Sequence, residues 1–201
     1  MDATTATLST LRRFATAVRP DLPAVDVALP AARALLAAVG ADYRVVGGVA
    51  VVHHGYERLT VDVDVLLGPE DAARLDVGLA AHGFRREGAR RLRHEATGVL
   101  VDLLVTGDVL PGRSGRPVPA VADVPAVAEG SDVAALPALM GLKLDAGRRQ
   151  DVADVVALLK TLDDGAYLAL EADAPRAHRA ALAALRDEAL EELRWARERP
   201  T

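Results

Sequence analysis

The chain has no cysteine among its 201 residues, and only 3% of the residues are aromatic. Without cysteine it forms neither disulfides nor zinc sites with thiolate ligands, which fits a cytoplasmic protein. Because 51% of the residues are nevertheless hydrophobic, the core must be built from Ala, Val and Leu. No apolar run reaches the roughly 18–20 residues that span a bilayer, and the N-terminus lacks the residue order of a signal peptide. We therefore expect a cytoplasmic protein without membrane contact.

The chain also lacks an excess of positive charge, since its formal net charge is −5. This argues against a generally basic nucleic-acid binder. One local cluster contains arginines that are opposed in sequence only by Glu87, namely Arg85, Arg86, Arg90, Arg91 and Arg93. The simpler interpretation, which we favour, is a solvated β-hairpin. The functional interpretation is an edge that contacts the phosphates of an RNA acceptor or of a nucleotide.

The stretch from residue 43 to residue 67 has the clearest pattern in the chain. Residues 43–46 form an apolar run rich in β-branched side chains, which predicts a strand, and Gly47-Gly48 ends it. Residues 49–54 continue without a breaker and predict a short helix. Residues 61–67 begin with a strict alternation of Val and Asp, which predicts a second strand. The predicted order is therefore strand, glycine turn, short helix and strand.

Two carboxylates of the second strand, Asp62 and Asp64, are two residues apart and so share one face, with α-carbons roughly 6.5–7 Å apart. Like charges at this spacing repel each other unless a cation lies between them, and a divalent metal ion is the simplest explanation. The Gly47-Gly48 turn lets a ligand approach the backbone. The unsatisfied N–H groups at the start of the next helix favour an anion such as phosphate. Together these features indicate a nucleotide held with Mg²⁺.

This combination of motifs resembles the core of the nucleotidyltransferase superfamily that includes DNA polymerase β. The spacing is most similar to the minimal bacterial members: abortive-infection toxins, their tRNA-modifying relatives and antibiotic nucleotidyltransferases. The resemblance extends over residues 43–160 and implies an α/β (α+β) nucleotidyltransferase fold, with a mixed β-sheet flanked by helices. It rests on GG (Gly47-Gly48), HG (His54-Gly55), Arg58, Thr60 and DxDxLL (residues 62–67).

The resemblance also implies functional residues outside the motif. Asp102, within the apolar run VLVDLLV, would be the third metal ligand beside Asp62 and Asp64, and an ion pair with one of the many arginines is the simpler alternative. Lys143 would reach the nucleotide phosphates, although a single lysine on an apolar helix can also extend to solvent. Asp151 would orient the site or assist it.

Two further residues have structural and functional interpretations. Arg58 would pair with a carboxylate or with a phosphate. For Asp154 a structural ion pair with Arg58 or Arg149 is the better interpretation. One departure from the family concerns Gly48, because many members carry a serine there whose hydroxyl contacts phosphate. In this chain only the backbone N–H groups of Gly47 and Gly48 would do so.

The remaining elements are predicted from apolar periodicity and from breakers. Their order suits a mixed sheet with helices on one face, and Asp132 would cap the helix that follows it. We divide the chain into a catalytic domain with N-terminal helices (1–130) and a C-terminal helical region (131–201), whose last helix packs on the domain or forms a homodimer. The predicted helices are 8–18, 30–39, 69–82, 133–145 and 175–198. The predicted strands are 84–86, 90–95 and 99–105. A loop with at most one edge strand covers 111–130, and breaks fall between residues 20 and 30 and at 165–173.

Other marked residues carry less weight. His53 and His54 invite a zinc or general-base interpretation, but adjacent helical residues point about 100° apart, so we favour structural histidines. Ser114 has no His/Asp arrangement that would make a hydrolase triad. The glycine turn is neither a P-loop nor a dinucleotide-binding fingerprint, because no GK[ST] and no GxGxxG pattern is present.

These expectations combine into a metal-dependent nucleotidyltransferase. Two Mg²⁺ ions held by Asp62, Asp64 and Asp102 would serve an NTP substrate, and an acceptor hydroxyl would displace pyrophosphate. Asp102 would also accept the hydroxyl proton. The expected acceptor is RNA, at a tRNA end, or a protein, in a toxin that has a cognate antitoxin. The alternatives are an enzyme that modifies an aminoglycoside or lincosamide, and a non-catalytic module that binds a nucleotide or a partner.

Overall fold

The computed structural model describes residues 3–18, 24–109 and 114–198. These residues form one five-stranded mixed sheet and eight α-helices, which confirms the α/β class with a mixed sheet and a helical C-terminal region. The strands are β1 (Tyr43–Val46), β2 (Asp62–Leu67), β3 (Phe84–Gly88), β4 (Arg91–His94) and β5 (Leu100–Val105). The helices are α1 (Ala3–Val18), α2 (Val25–Ala38), α3 (Gly47–His53), α4 (Pro69–Arg74), α5 (Leu136–Ala146), α6 (Arg149–Lys160), α7 (Asp164–Asp173) and α8 (Arg176–Glu198).

The strands follow the order β1-β2-β5-β4-β3 across the sheet. Strands β2 and β5 are parallel, whereas β1 with β2, β5 with β4, and β4 with β3 are antiparallel. The connection from β2 to β5 carries α4 and the β3–β4 hairpin. The parallel pair that joins the two acidic strands therefore lies inside the sheet, with paired neighbours on both sides.

The sheet has helices on both faces, so the expectation of helices on one face was wrong. Val65 and Val101 belong to the apolar face and lie against Leu35 and Leu36 of α2. Side chains alternate along a strand, so the acidic residues of β2 and β5 point the other way. On that side the sheet and α5 border a cleft between them.

Helix α2 begins earlier than predicted. The sequence indicated a start at Pro30, in the first turn, but the helix starts at Val25 and Pro30 is its sixth residue. A proline there removes one backbone hydrogen bond. The extra turn is stabilised because Val25, Ala28 and Leu29 are all buried in the core. The predicted break at Pro20 lies outside the described residues.

The sequence indicated that Asp132 caps α5, and this prediction was wrong. Helix α5 begins at Leu136 without a side-chain cap. The carboxylate of Asp132 instead accepts two hydrogen bonds from Arg33, both of 2.7 Å, and one of 2.9 Å from the hydroxyl of Tyr43. The backbone beside it pairs with the edge strand β1, where Val45 N–H donates to the Asp132 carbonyl at 2.7 Å. That pairing keeps these residues extended, so the helix starts later.

Two other segments differ from the predictions, and a third agrees with its prediction. The helix predicted at 69–82 is split into α4 and two short 3₁₀ turns separated around Gly78, a poor helix former. The break predicted at 165–173 is wrong, because Asp163 caps α7 by accepting from the Ala166 N–H at 2.8 Å. Within 114–130, the described part of the predicted loop, the structure has a 3₁₀ turn and isolated bridges but no strand.

The C-terminal helix α8 agrees with its prediction and packs on α6. Its buried Arg186 donates to the carbonyls of Leu159 at 2.7 Å and Leu162 at 3.0 Å. Leu159 lies in the last turn of α6 and Leu162 just after it, so Arg186 joins α8 to the C-terminal end of α6. Among the described residues, no helix is both long enough and apolar enough to cross a membrane.

Candidate functional site

Three carboxylates share one face of the sheet. Asp64 on β2 lies directly opposite Asp102 on the parallel strand β5, and directly paired residues of neighbouring strands project to the same side. Asp62 precedes Asp64 by two residues and belongs to the same face. The alternating pattern and the strand register together bring these residues to one place.

The charges of this group conflict with one another. Burial and then the charges of the Asp62 and Asp102 carboxylates raise the pKa of Asp64, the charges of Lys143 and Arg148 lower it, and the net result is a pKa of about 6. Asp62 accepts a hydrogen bond of 3.2 Å from the Thr60 hydroxyl. An added cation would relieve the repulsion, so the group is chemically suited to one.

The two glycines have different surroundings. Gly47 has a φ of +60°, and a β-carbon there would overlap the carboxylate of Asp64. Gly48 is buried, and a β-carbon there would overlap Thr60 and come within 3.2 Å of an Arg58 nitrogen. Gly47 therefore borders the carboxylates, whereas Gly48 packs beneath them, where a serine would not fit. Helix α3 has only seven residues, so a phosphate contact here depends on the open backbone more than on a helix dipole.

Asp64 and Asp102 line a cleft of about 590 Å³, within the usual size range of small-molecule sites. Its apolar wall includes Leu103, Leu104, Val118, Pro119, Leu139 and Leu142. Its cationic side chains are Arg90, Arg91, Arg116, Lys143 and Arg148, and its acidic ones are Asp64, Glu87, Asp102, Asp145 and Asp151. An apolar wall beside clustered charges suits a ligand with one flat apolar part and one charged part.

Asp102 is engaged by an arginine. Its Oδ1 lies 2.5 Å from Nε of Arg91, and its Oδ2 lies 3.1 Å from Nη2 of the same residue. The simpler alternative for Asp102 is thus present, although Asp102 still lies beside Asp64. Within the described part of the chain there is no cluster of three or more His, Cys, Asp or Glu side chains arranged to hold a metal ion.

Lys143 is buried at the back of the cleft and does not extend to solvent. Its Nζ lies 2.6 Å from Asp154 and 3.3 Å from Asp151. Asp154 also forms an ion pair with Arg58, whose Nε lies 2.8 Å from the carboxylate. Arg58 was one of the two partners predicted for Asp154. Arg58 does not line the cleft, so its contact is with a carboxylate.

Asp151 connects this buried group to the surface. Burial alone would raise its pKa, but the hydrogen bond from Arg148 and the charges of Lys143 and Arg148 outweigh burial and lower it. Its Oδ2 accepts from Nε of Arg148 at 2.6 Å and from the Arg148 N–H at 3.3 Å, which caps α6. Asp151 therefore contacts both the buried Lys143 and the exposed Arg148.

In the sequence, only Glu87 opposes the arginine cluster of the hairpin. In the structure, further carboxylates pair with it. Arg85 and Arg93 pair with Glu87, while the other three pair with carboxylates from elsewhere in the chain. Those pairs are Arg86 with Asp76, Arg90 with Asp108 and Arg91 with Asp102. The paired charges agree with a solvated hairpin and leave little free positive charge for RNA.

The two adjacent histidines have separate structural contacts. His53 Nδ1 lies 3.0 Å from the hydroxyl of Thr7, and His54 Nε2 lies 2.8 Å from the carbonyl of Ala134. Burial lowers the pKa of both imidazoles. The structural interpretation of these residues is therefore supported.

Sequence reasoning missed two charged residues of the cleft as site residues. Arg91 was considered only as a member of the arginine cluster, and Arg148 was not singled out. The clue to Arg148 is Gly147, which has a φ of +60° and ends α5. Arg148 follows Gly147 as the N-cap residue of α6, and it lines the cleft.

Comparison of the chain with protein-family models and with curated proteins gives no match. The resemblance to nucleotidyltransferases therefore rests on the residues and their geometry.

Proposed function

We propose that the chain transfers a nucleoside monophosphate from an NTP to an acceptor hydroxyl and releases pyrophosphate. The observation that carries this proposal is the position of Asp62, Asp64 and Asp102 on one face of the sheet, where Asp64 and Asp102 line, together with Gly47, a cleft that also exposes Arg148. Such a site combines acidic oxygen ligands with groups that bind phosphate.

The side chains fit a magnesium ion. Carboxylate oxygens are its preferred protein ligands, and it usually takes one or two of them together with phosphate oxygens. Asp62 and Asp64 would hold it, since their mutual repulsion favours a cation between them. The ion would neutralise phosphate charge and polarise the reacting phosphoryl group.

The residues of the chain have separate tasks in this proposal. Gly47 lines the cleft and has no side chain, so the phosphates would approach its backbone beside the Asp64 carboxylate. Arg148 and Lys143 offset negative charge on the phosphates, as cations do in phosphoryl transfer. The acceptor oxygen forms a bond to the α-phosphorus while the bond from that phosphorus to the β-phosphate bridging oxygen breaks. Pyrophosphate leaves with both bonding electrons, and the hydroxyl proton passes to Asp102.

For the acceptor we propose an RNA end, as in a tRNA-directed toxin with a cognate antitoxin, or a protein hydroxyl. This choice comes from the resemblance. A small hydroxylated antibiotic is a second candidate, favoured by the apolar wall of the cleft and by the paired charges of the hairpin. A module that binds nucleotide without turnover is a third, favoured by the ion pair between Arg91 and Asp102.

The test is incubation with each α-³²P-labelled NTP, Mg²⁺ and, in separate reactions, total RNA, total protein or a panel of aminoglycosides and lincosamides. We expect one NTP to label one class of acceptor. Asp62→Asn and Asp64→Asn should abolish labelling, while Asp76→Asn, which removes a surface carboxylate paired with Arg86, should retain it. Equal labelling by Asp64→Asn and the wild type would contradict the proposal. Nucleotide binding without any labelled product would leave the binding module.

A further inference from the structure

Arg91 and Asp102 are placed opposite each other by the strand register. They are directly paired residues of the antiparallel strands β4 and β5, so their side chains leave the sheet on the same side. Both carboxylate oxygens of Asp102 are engaged by the guanidinium, through Nε at 2.5 Å and Nη2 at 3.1 Å. Asp102 would have to give up this two-point contact to become a metal ligand.

Asp62 and Asp64 differ from Asp102 in this respect. Within 3–18, 24–109 and 114–198, no arginine or lysine forms an ion pair with either of them, whereas Asp102 has one. The cations nearest to Asp64, Lys143 and Arg148, are paired with Asp151. The three carboxylates are therefore not equivalent: two are available to a metal ion and the third already has a cation.

The guanidinium of Arg91 also has donors to spare. An arginine carries five N–H groups in a fixed plane, and the contact with Asp102 uses two nitrogens. Arg91 lines the cleft, and about half of its side chain is exposed (49%). The remaining donors are open to phosphate oxygens, which arginine binds with two parallel hydrogen bonds.

We propose that Arg91, held by Asp102, is a fixed cation of the nucleotide site that stands where a second metal ion would be, so that Asp62 and Asp64 hold a single ion. This inference rests on the proposed function. In addition to its proposed role as proton acceptor, Asp102 then orients Arg91 toward the phosphates. The site binds one divalent ion for each nucleotide.

The experiment counts ions for each bound nucleotide. The full chain is equilibrated with Mn²⁺ and with analogues of ATP, GTP, CTP and UTP that carry a methylene bridge between the α- and β-phosphorus. Bound Mn²⁺ is measured by electron paramagnetic resonance, and bound nucleotide by ultrafiltration. The variants are Arg91→Gln, the double variant Arg91→Gln/Asp102→Asn, which removes both charges of the pair, and the control Arg86→Gln, which breaks a pair with Asp76 outside the cleft lining.

We expect one Mn²⁺ per nucleotide in the wild type and in Arg86→Gln. Arg91→Gln, with Asp102 released, should bind a second Mn²⁺. The double variant should return to one ion, with nucleotide affinity lowered about tenfold because the phosphate contact is lost. Retention of the fold is checked by the thermal midpoint of each variant without ligand.

Two results would overturn the inference in different ways. Two Mn²⁺ ions per nucleotide in the wild type, falling to one in the double variant, would make Asp102 a metal ligand and leave the proposed function intact. If neither Mn²⁺ nor any nucleotide analogue binds the wild type, the inference and the proposed function fail together.

Discussion

The α-carbon of Gly47 lies against the carboxylate of Asp64, so that a β-carbon on the glycine would overlap the acid. The backbone of Gly47 also has a φ of +60°, a conformation that other residues adopt with difficulty. Two independent constraints therefore act on one position, and a comparison with a second glycine separates them.

Gly47→Ala should destabilise the protein more than Gly40→Ala does. Gly40 has nearly the same φ, +63°, but open space around the position of a β-carbon, so alanine there costs only the backbone strain of about 1–2 kcal/mol. At Gly47 the displacement of Asp64 adds to this cost. Urea denaturation of both variants measures the difference. Equal losses of stability would contradict the close approach.

Asp64→Asn should stabilise the folded protein at pH 8. The pKa of Asp64 is raised from 3.8 to about 6, so the folded state binds the proton more tightly than the unfolded state does. Stability therefore falls as the pH rises from about 4 through 6. Asparagine removes this loss, which is on the order of 2–3 kcal/mol for a shift of about two units.

The measurement is the free energy of unfolding of the wild type and Asp64→Asn at pH 4 and at pH 8. The gain of the variant should be present at pH 8 and absent at pH 4. Asp108→Asn is the opposite case, because the hydrogen bond from Arg90 lowers the pKa of Asp108; it should give no gain at pH 8. A gain for Asp64→Asn that does not change with pH would exclude the raised pKa as its cause.

Lys143→Met should destabilise the protein by about 3 kcal/mol, since removing one member of a buried ion pair leaves its partners uncompensated. Lys143 is 5% exposed and contacts both Asp151 and Asp154. The matched control is Lys160→Met on α6, whose partially exposed pair with Glu192 should contribute about 0–1 kcal/mol. Both are measured by urea denaturation. Similar losses of stability in Lys143→Met and Lys160→Met would show that Lys143 is not needed to compensate the buried carboxylates.

Arg148→Gln should weaken binding of a magnesium–NTP complex about tenfold, as expected for one lost charged contact with phosphate. Arg148 is largely exposed and lines the cleft. Arg149→Gln removes the same charge from the next residue, which is exposed and lies outside the cleft lining. Isothermal titration of both variants gives the comparison. Equal weakening would indicate a general effect of charge and no direct contact.

The strand face that carries the acids was predictable from local pattern. The alternation of Asp and Val over 61–65 determines which side chains of β2 share a face, and the apolar run around Asp102 identifies the neighbouring strand. Local sequence pattern also predicts α3, which lies between the two predicted strands. These features require only residues that are close in the sequence.

The partners of the charged residues were not predictable in the same way. Asp132 is 99 residues from Arg33, and a sequence offers many arginines for each carboxylate. The choice depends on tertiary packing, which also made Asp132 part of an extended segment beside β1 and not a cap. Pro30 and Gly165 were misinterpreted for a related reason. Burial and a capping aspartate outweighed their low helix propensity.

The hydrogen bonds from Arg186 to the end of α6 have a consequence for shortened versions of the protein. Helix α6 supplies Asp151 to the cleft, and α8 ties down its far end. A fragment that stops before residue 131 would keep the three aspartates but lose the wall that faces them. A fragment that stops before α8 would keep that wall but lose the hydrogen bonds from Arg186 to the end of α6. A test of the proposed nucleotidyl transfer therefore requires the polypeptide through its last helix.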